Sequence, residues 1–265
     1  MRIGCSVPMG CAGLAREIGF DFVELRVSEL DPEGSIEEFA EKARRFERAG
    51  IAAETWAFLL PADMKVVGPD ADLERARSWV ATATQRAATL GGHLIVVGSG
   101  DARRIPDGFP REEARRQFSA FLVAAVDEAS KAGMSLALEA LNRTETNFIH
   151  SLAAATHLVD EIDHPGLGVV ADIYHMLVES EPYRHLCIPG ERLLHVQLAD
   201  QRRRPPGTGG LDFGTVFTHL NAAGYQGRLA VEASFADFSR EGGPSLEFIR
   251  RASQVTGALT FAAGV

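Results

Sequence analysis

The segment HLIVVGSG at residues 93–100 is a short apolar run of the kind that forms a buried β-strand. It is followed at residues 112–133 by EEARRQFSAFLVAAVDEASKAG, a long amphipathic pattern that predicts a helix ending at Gly133. The segment SLALEAL at residues 135–141 then predicts a second strand. A strand, a long helix and another strand in this order indicate two parallel strands joined by a crossover helix.

The same alternation of strand and helix runs along the whole chain. Eight such units in about 250 residues, without a linker or a break in composition, predict a closed parallel (β/α)8 TIM barrel that forms one domain over residues 1–265. The rival is an open doubly wound sheet, but the first turn, VPMGCAG, lacks the GxGxxG spacing expected there. The strand candidates are RIGCSV (2–7), FVELRV (22–27), AAETWAF (52–58), HLIVVGSG (93–100), SLALEAL (135–141), LGVVADIY (167–174), LLHVQLAD (193–200) and GRLAVEA (227–233).

The composition excludes several classes of function. A net charge of −9 at pH 7 provides no basic face for a nucleic-acid backbone. Three cysteines without a CxxC pair indicate reduced thiols, not a disulfide framework or a zinc ribbon. No apolar run reaches the roughly 18 residues of a membrane span, and the N-terminus lacks a signal-peptide pattern. We therefore expect a cytoplasmic protein with no membrane partner.

Three carboxylates stand near the ends of apolar strands. They are Glu139 in LALEAL, Asp172 in VVADIY and Glu232 in LAVEAS. In a TIM barrel the carboxyl ends of the strands meet at one mouth, where the active site lies. Buried like charges repel each other unless a cation lies between them, and a divalent metal is the simplest such cation. The sequence thus predicts a metal site at the barrel mouth.

The seventh strand, LLHVQLAD, offers a fourth ligand. Side chains alternate along a strand, so His195 and Gln197 point the same way, with Gln197 nearer the mouth. Position favours Gln197, although imidazole is the commoner ligand. Oxygen ligands alone favour Mn²⁺ or Mg²⁺, whereas His195 would shift the preference towards Co²⁺ or Zn²⁺. We expect Asp200 to cap a turn and Glu24 to be a salt-bridged neighbour of the site.

Several of these motifs resemble those of the xylose-isomerase-like barrel superfamily, which holds ketose 3-epimerases, hydroxypyruvate isomerases and endonuclease IV. ALEALNRTE is similar to the ketose 3-epimerase motif, which implies that Glu139 binds metal and Glu145 contacts substrate. DIYHM resembles their metal-binding aspartate and substrate-binding histidine, here Asp172 and His175. AVEAS resembles the segment of their last metal-binding and catalytic glutamate, here Glu232.

The seventh strand departs from the epimerase pattern. The 3-epimerases carry histidine where Gln197 stands, and their substrate-binding arginine maps to Arg203. HVQLAD followed by PGTGGLDF resembles hydroxypyruvate isomerase, in which that glutamine is the expected metal ligand. The substrate therefore stays open among a ketose, a sugar phosphate and a hydroxypyruvate-like hydroxy-keto acid. Barrels of this family often pair, so a homodimer or tetramer is also left open, with the tail GALTFAAGV as one candidate contact.

This set of residues predicts an isomerase that works through an enediolate. Glu139 and Glu232 would act as general base and general acid beside a carbonyl, and the same residues serve epimerisation and aldose–ketose isomerisation. A lyase of the inosose dehydratase type is the alternative, because it would use the same proton abstraction and then expel a hydroxyl. An endonuclease IV-like hydrolase needs three zinc ions and a basic face, which the acidic composition disfavours. A binder without catalysis would not need two opposed carboxylates.

Two loops at the predicted mouth are basic. Residues 202–204 are three consecutive arginines after the seventh strand, and DARRIPDGFPR after the fourth strand adds Arg103 and Arg104. Together they suggest an anionic substrate. Trp56 and Phe58 end the third strand, where aromatic side chains either join the core or shield a reactive intermediate from water.

Overall fold

A computed structural model describes residues 1–262 and the side chains of residues 1–254. All strands are parallel and each pairs with the next along the chain. The barrel closes where the first strand pairs with the last, with Gly4 opposite Ala230. The predicted TIM barrel is therefore confirmed. The strands are β1 (Arg2–Ser6), β2 (Phe22–Arg26), β3 (Thr55–Ala57), β4 (Leu94–Val97), β5 (Ser135–Glu139), β6 (Leu167–Asp172), β7 (Leu193–Leu198) and β8 (Arg228–Val231).

A helix follows each strand and packs outside the barrel. Five of the helices are preceded by a residue whose side chain accepts a hydrogen bond from the first turn, namely Ser35, Asp72, Ser151, Asp172 and Asp212. These caps satisfy backbone N–H groups that have no partner inside the helix. The helices are α1 (Ala12–Ile18), α2 (Ile36–Glu47), α3 (Leu73–Thr89), α4 (Arg111–Lys131), α5 (Leu152–Ile162), α6 (Ile173–Val178), α7 (Phe213–Ala222) and α8 (Phe238–Ala262).

Each strand lies within its predicted range but ends one to three residues earlier than predicted. β3 is three residues long, much shorter than predicted, so Phe58 lies beyond it. β8 ends at Val231, which places Glu232 in the first position of the following loop. Short 3-10 turns occur in the loops at Met9–Cys11, Val27–Leu30, Tyr183–Cys187, Gly190–Arg192 and Gln201–Arg203.

The core consists of two apolar layers. The larger layer lies between the strands and the surrounding helices, and a smaller one fills the barrel interior with Ala57, Leu94, Val96, Ala137 and Val170. Ala137 and Val170 stand two residues before Glu139 and Asp172 on their strands, so this layer lies directly below the polar residues at the mouth.

None of the helices in the described range is long and apolar enough to cross a bilayer. The tail GALTFAAGV, a candidate oligomer contact, lies outside the residues whose side chains the structure describes.

Candidate active site and metal centre

The strand ends bring the predicted carboxylates together. Glu139 is the last residue of β5 and Asp172 the last of β6, and they are 7% and 3% exposed. Asp172 is the register partner of Gln197 on β7, so Gln197 lies level with the other strand ends, as the alternation predicts. Glu232 follows β8 directly. The candidate ligands thus come from four consecutive strands around half of the mouth.

His175 lies in the middle of this cluster. Its Nε2 is 3.4 Å from Glu139 Oε1 and 3.4 Å from Asp172 Oδ2. One ligand atom from each of these three residues falls within 4.8 Å of the others, which is close enough for a shared ion. Burial lowers the pKa of His175, but the charges of Asp172 and Glu139 outweigh it and the pKa is raised.

Asn142 and Arg203 contact the two ring nitrogens of His175. The backbone N–H of Asn142 donates to His175 Nδ1 across 3.1 Å. On the other side of the ring, Nε2 faces the carboxylates of Glu139 and Asp172 and also lies 2.9 Å from Nη2 of Arg203, which can only donate. The ring of His175 is therefore held between the loops after β5 and β7, at the centre of the cluster.

Arg203 reaches into the same cluster from the loop after β7. Its Nη1 lies 3.1 Å from Glu232 Oε2 and 3.5 Å from Asp172 Oδ2, and its Nη2 lies 3.4 Å from Glu145 Oε1. Its carbonyl accepts from Ser234 N at 2.6 Å. The loop therefore holds a guanidinium among the carboxylates.

Asp200 shapes that loop. Its carboxylate accepts hydrogen bonds from the backbone N–H groups of Gln201, Gly207, Gly209 and Leu211. Burial raises the pKa of Asp200, but these hydrogen bonds outweigh it and hold the pKa below its usual value. The expectation that Asp200 caps a turn is confirmed.

The cluster carries excess negative charge. Glu139, Glu145, Asp172 and Glu232 surround the guanidinium of Arg203. Burial raises the pKa of Glu232 well above its usual value, the nearby Asp172 and Glu139 raise it further, and Arg203 offsets only part of this. A divalent ion would supply the charge that Arg203 leaves uncompensated.

A buried network orients Gln197. Its Nε2 donates to Glu24 Oε1 at 3.0 Å, and the other oxygen of Glu24 is 2.9 Å from His195 Nε2 and 2.9 Å from Thr55 Oγ1. The carboxylate only accepts, so the amide must turn its N–H towards Glu24 and its oxygen away. Burial raises the pKa of Glu24, but the hydrogen bonds from His195, Gln197 and Thr55 bring the net pKa below its usual value. Glu24 is thus the salt-bridged neighbour that the sequence predicts.

The oxygen of Gln197 is free to bind a metal. In the part of the chain that the structure describes, Gln197 Oε1 is buried without a hydrogen-bond partner. A buried polar atom without a partner is costly, so this oxygen is available to a cation or a hydrogen-bond donor. Together with the carboxylates, this oxygen makes a donor set that fits Mn²⁺ or Mg²⁺.

Removing the acceptor beneath the site is expected to destabilise the fold. Glu24→Ala leaves buried donors of Thr55, His195 and Gln197 without a partner, so the free energy of unfolding should fall by about 3 kcal/mol. Urea denaturation of the metal-free protein measures this change. Glu41→Ala, which removes an exposed helix ion pair, is the control and should change the same quantity by less than about 0.5 kcal/mol. If both variants lost the same free energy of unfolding, the role of Glu24 as the acceptor of this network would be contradicted.

The two arginines of the loop after β4 are engaged with the backbone of neighbouring segments. Arg103 is 1% exposed, and its guanidinium donates to the carbonyl of Glu139 at 2.7 Å, so the expectation that it binds an anion is wrong. Arg104 is bonded to the carbonyl of Glu145 and paired with Asp101. Both arginines hold the loops after β4 and β5 together.

Sequence reasoning missed two residues at the site. Asn142 donates to His175 through its backbone, and its side chain donates to Glu145 Oε1 at 3.1 Å. Its only sequence signal is a polar residue at the end of an apolar strand. Gly98 makes room for Glu139, because a Cβ at this position would overlap Glu139 Oε2. Gly98 is the first glycine of the GxG pattern in VGSGD, so this pattern is the sequence signal of the close approach.

Curated relatives include two epimerases that match parts of this chain. A ketose 3-epimerase from Arthrobacter globiformis is 35% identical over 108 residues, which cover 40% of this chain and 37% of the relative. A 3-dehydro-D-guloside 4-epimerase from Escherichia coli is 34% identical over 152 residues, covering 55% of this chain and 58% of the relative. The chain therefore spans less than two thirds of the length of either protein.

The fold as a whole matches solved structures. D-psicose 3-epimerase from Clostridium cellulolyticum, solved with D-tagatose, superposes with a TM-score of 0.84 at 21% identity, covering 96% of this chain and 99% of that one. At this identity the likeness concerns the fold. The family model for the xylose isomerase-like TIM barrel matches residues 12–252. This chain belongs to the xylose isomerase-like TIM barrel family.

Proposed function

We propose that this protein is a metal-dependent sugar epimerase or isomerase that moves a proton next to a carbonyl through an enediolate. The observation that carries the proposal is the buried carboxylate cluster with the uncommitted oxygen of Gln197 beside it. Glu139, Asp172, Gln197 and Glu232 would hold one divalent ion, Mn²⁺ or Mg²⁺ by the hardness of the donors. When bound, that ion would act as a Lewis acid and stabilise the negative charge of the enediolate.

The two glutamates have the positions of a base and an acid. Glu139 and Glu232 stand on β5 and after β8, on different sides of the mouth. One would remove the proton next to the carbonyl and the other would return a proton. Return on the opposite face inverts the carbon, and return to the neighbouring carbon interconverts aldose and ketose. Because the curated relatives are epimerases, we favour inversion.

Three further residues would bind the substrate. Nε2 of His175, the ring nitrogen that faces the carboxylates, would donate to an oxygen of the reacting part of the sugar. Arg203 would donate to the same part of the sugar. Its ion pair with Glu145 would fix the distance between the Arg203 and Glu145 side chains. These donors would exclude water and orient the carbonyl before proton transfer.

The proposal is tested by metal analysis together with solvent deuterium incorporation. We expect one equivalent of Mn, Mg or Co per chain, and metal-dependent deuterium incorporation beside the carbonyl of one substrate among ketoses, hydroxypyruvate and inososes. A product lighter by one water would instead indicate a lyase of the inosose dehydratase type. Three zinc ions would indicate a hydrolase, and absence of both metal and exchange would overturn the proposal.

A further inference from the structure

Phe58 has an unusual backbone and an unusual exposure. It directly follows β3, has a φ of +56° and is 47% exposed. Positive φ is strained for a bulky side chain, and such strain persists mainly where function uses it. Phe58 is therefore a candidate for a role beyond packing.

Neighbouring residues impose this conformation. The carbonyl of Leu59 accepts from Trp79 Nε1 at 2.7 Å, and the N–H of Leu60 donates to Ser99 Oγ at 2.8 Å. Leu59 and Leu60 are both buried in the core. Because the chain is held at both residues after it, Phe58 is turned out of the core and held at the mouth by the fold.

Phe58 lines both a small inner space and a larger outer cavity. The inner space, about 50 Å³, is bordered by Glu139, His175 and Glu232. The outer cavity, about 900 Å³, is also lined by Phe235 and shares Phe58 and Glu232 with the inner space. The outer cavity has the size of a site for a whole ligand, far more than the reacting carbons of a sugar require.

The outer cavity combines an aromatic face with polar groups and balanced charge. The guanidinium of Arg26 lies 4.9 Å from the centre of the Phe58 ring and supports one face. Two guanidiniums, Arg26 and Arg203, line the cavity together with three carboxylates, Glu29, Glu145 and Glu232. Because the carboxylates outnumber the guanidiniums, this lining does not attract a phosphate. It suits a neutral ring with hydroxyl groups, whose C–H face packs on an aromatic side chain.

We propose that Phe58 and Arg26 form an outer subsite for a second sugar ring, so that the substrate is a glycosylated ketose. This inference rests on the proposed function, because the reacting sugar must occupy the carboxylate cluster. The second ring packs on Phe58 and accepts hydrogen bonds from Arg26. Phe58 is thus a specificity-determining residue.

The test compares deuterium incorporation beside the carbonyl in fructose, isomaltulose, lactulose and fructose 6-phosphate. Isomaltulose and lactulose carry a sugar ring on O6 and O4 of the fructose unit. We expect kcat/KM for at least one of these disaccharides to exceed that for fructose by roughly tenfold or more. Phe58→Ala should lower this ratio by roughly tenfold, and Arg26→Ala should lower it less.

Two further variants separate binding from structure. Phe58→Gly removes the ring and relieves the positive φ, so the ratio should fall while the melting temperature stays equal or rises. Ile188→Ala, at an exposed residue outside the cavity, should change neither quantity.

The outcomes are distinguishable. Exchange of fructose without any preference for a disaccharide, or with a preference for fructose 6-phosphate, would overturn the outer subsite alone. A wild-type enzyme that exchanges none of the probes and binds no metal would overturn the proposed function. An unchanged ratio in Phe58→Ala would overturn the assignment of the subsite to Phe58.

Discussion

Glu232→Gln and Glu139→Gln are each expected to lower the rate of epimerisation by about 10³-fold, within the range that a positioned acid or base contributes. Glutamine keeps the shape of the side chain but neither accepts nor returns a proton. If each glutamate serves one face of the enediolate, each variant still removes the proton from one epimer. It then returns the proton to the same face. Solvent deuterium should therefore enter one epimer in Glu232→Gln and the other epimer in Glu139→Gln, without inversion.

The matched control for these variants is Glu54→Gln. Glu54 is a buried glutamate paired with Arg2 and Arg228. Arg2 and Arg228 begin β1 and β8, so this ion pair lies at the end of the barrel opposite the mouth. We expect it to change stability and leave the exchange pattern in both epimers as in the wild type. Nuclear magnetic resonance of each purified epimer in deuterated buffer measures the pattern. If either active-site variant still inverted the carbon, the assignment of one glutamate to each face would be contradicted.

The strand ends could be predicted from the sequence because a charged residue within an apolar strand has few stable environments. A carboxylate such as Glu139 needs a cation or a hydrogen-bond partner wherever it is buried. Alternation along β7 placed Gln197 level with Asp172, and the register confirms it. Strand period and burial cost are local properties, so they can be inferred without knowledge of the loops.

The loops could not be predicted in the same way, because distant residues determine their paths. Arg103 lies in a basic segment of the sequence. Its guanidinium is nevertheless buried, because it donates a hydrogen bond to the carbonyl of Glu139. The direction of Phe58 depends on Trp79 and Ser99, which lie on other elements. The position of the His175 ring depends on Asn142 and Arg203, which contact its two nitrogens from different loops. None of these contacts leaves a periodic pattern.

Removal of the divalent ion is expected to abolish proton exchange and to lower the melting temperature. At an ion concentration about a hundred times its Kd, binding to the folded state alone adds about 2.7 kcal/mol. For a protein of this size, that corresponds to a shift of about 5–10 °C. The physical reason is the repulsion among Glu139, Asp172 and Glu232, which Arg203 compensates only in part. Differential scanning calorimetry after chelation, and after addition of Mn²⁺ or Mg²⁺, measures the shift.

Substitution of Gln197 tests which residues hold the ion. Gln197→Ala removes the unbonded oxygen and leaves Glu24 in place, so the apparent affinity for Mn²⁺ should fall by about tenfold or more, equal to roughly 1.4 kcal/mol. Gln197→His replaces the oxygen by an imidazole nitrogen and should shift the preference from Mn²⁺ towards Zn²⁺ and Co²⁺. Gln226→Ala, at an exposed glutamine, is the control and should leave the melting shift unchanged. If Gln197→Ala kept the full shift for Mn²⁺, the ion would be held by carboxylates alone. The buried oxygen would then need another partner, such as a bound water or the substrate itself.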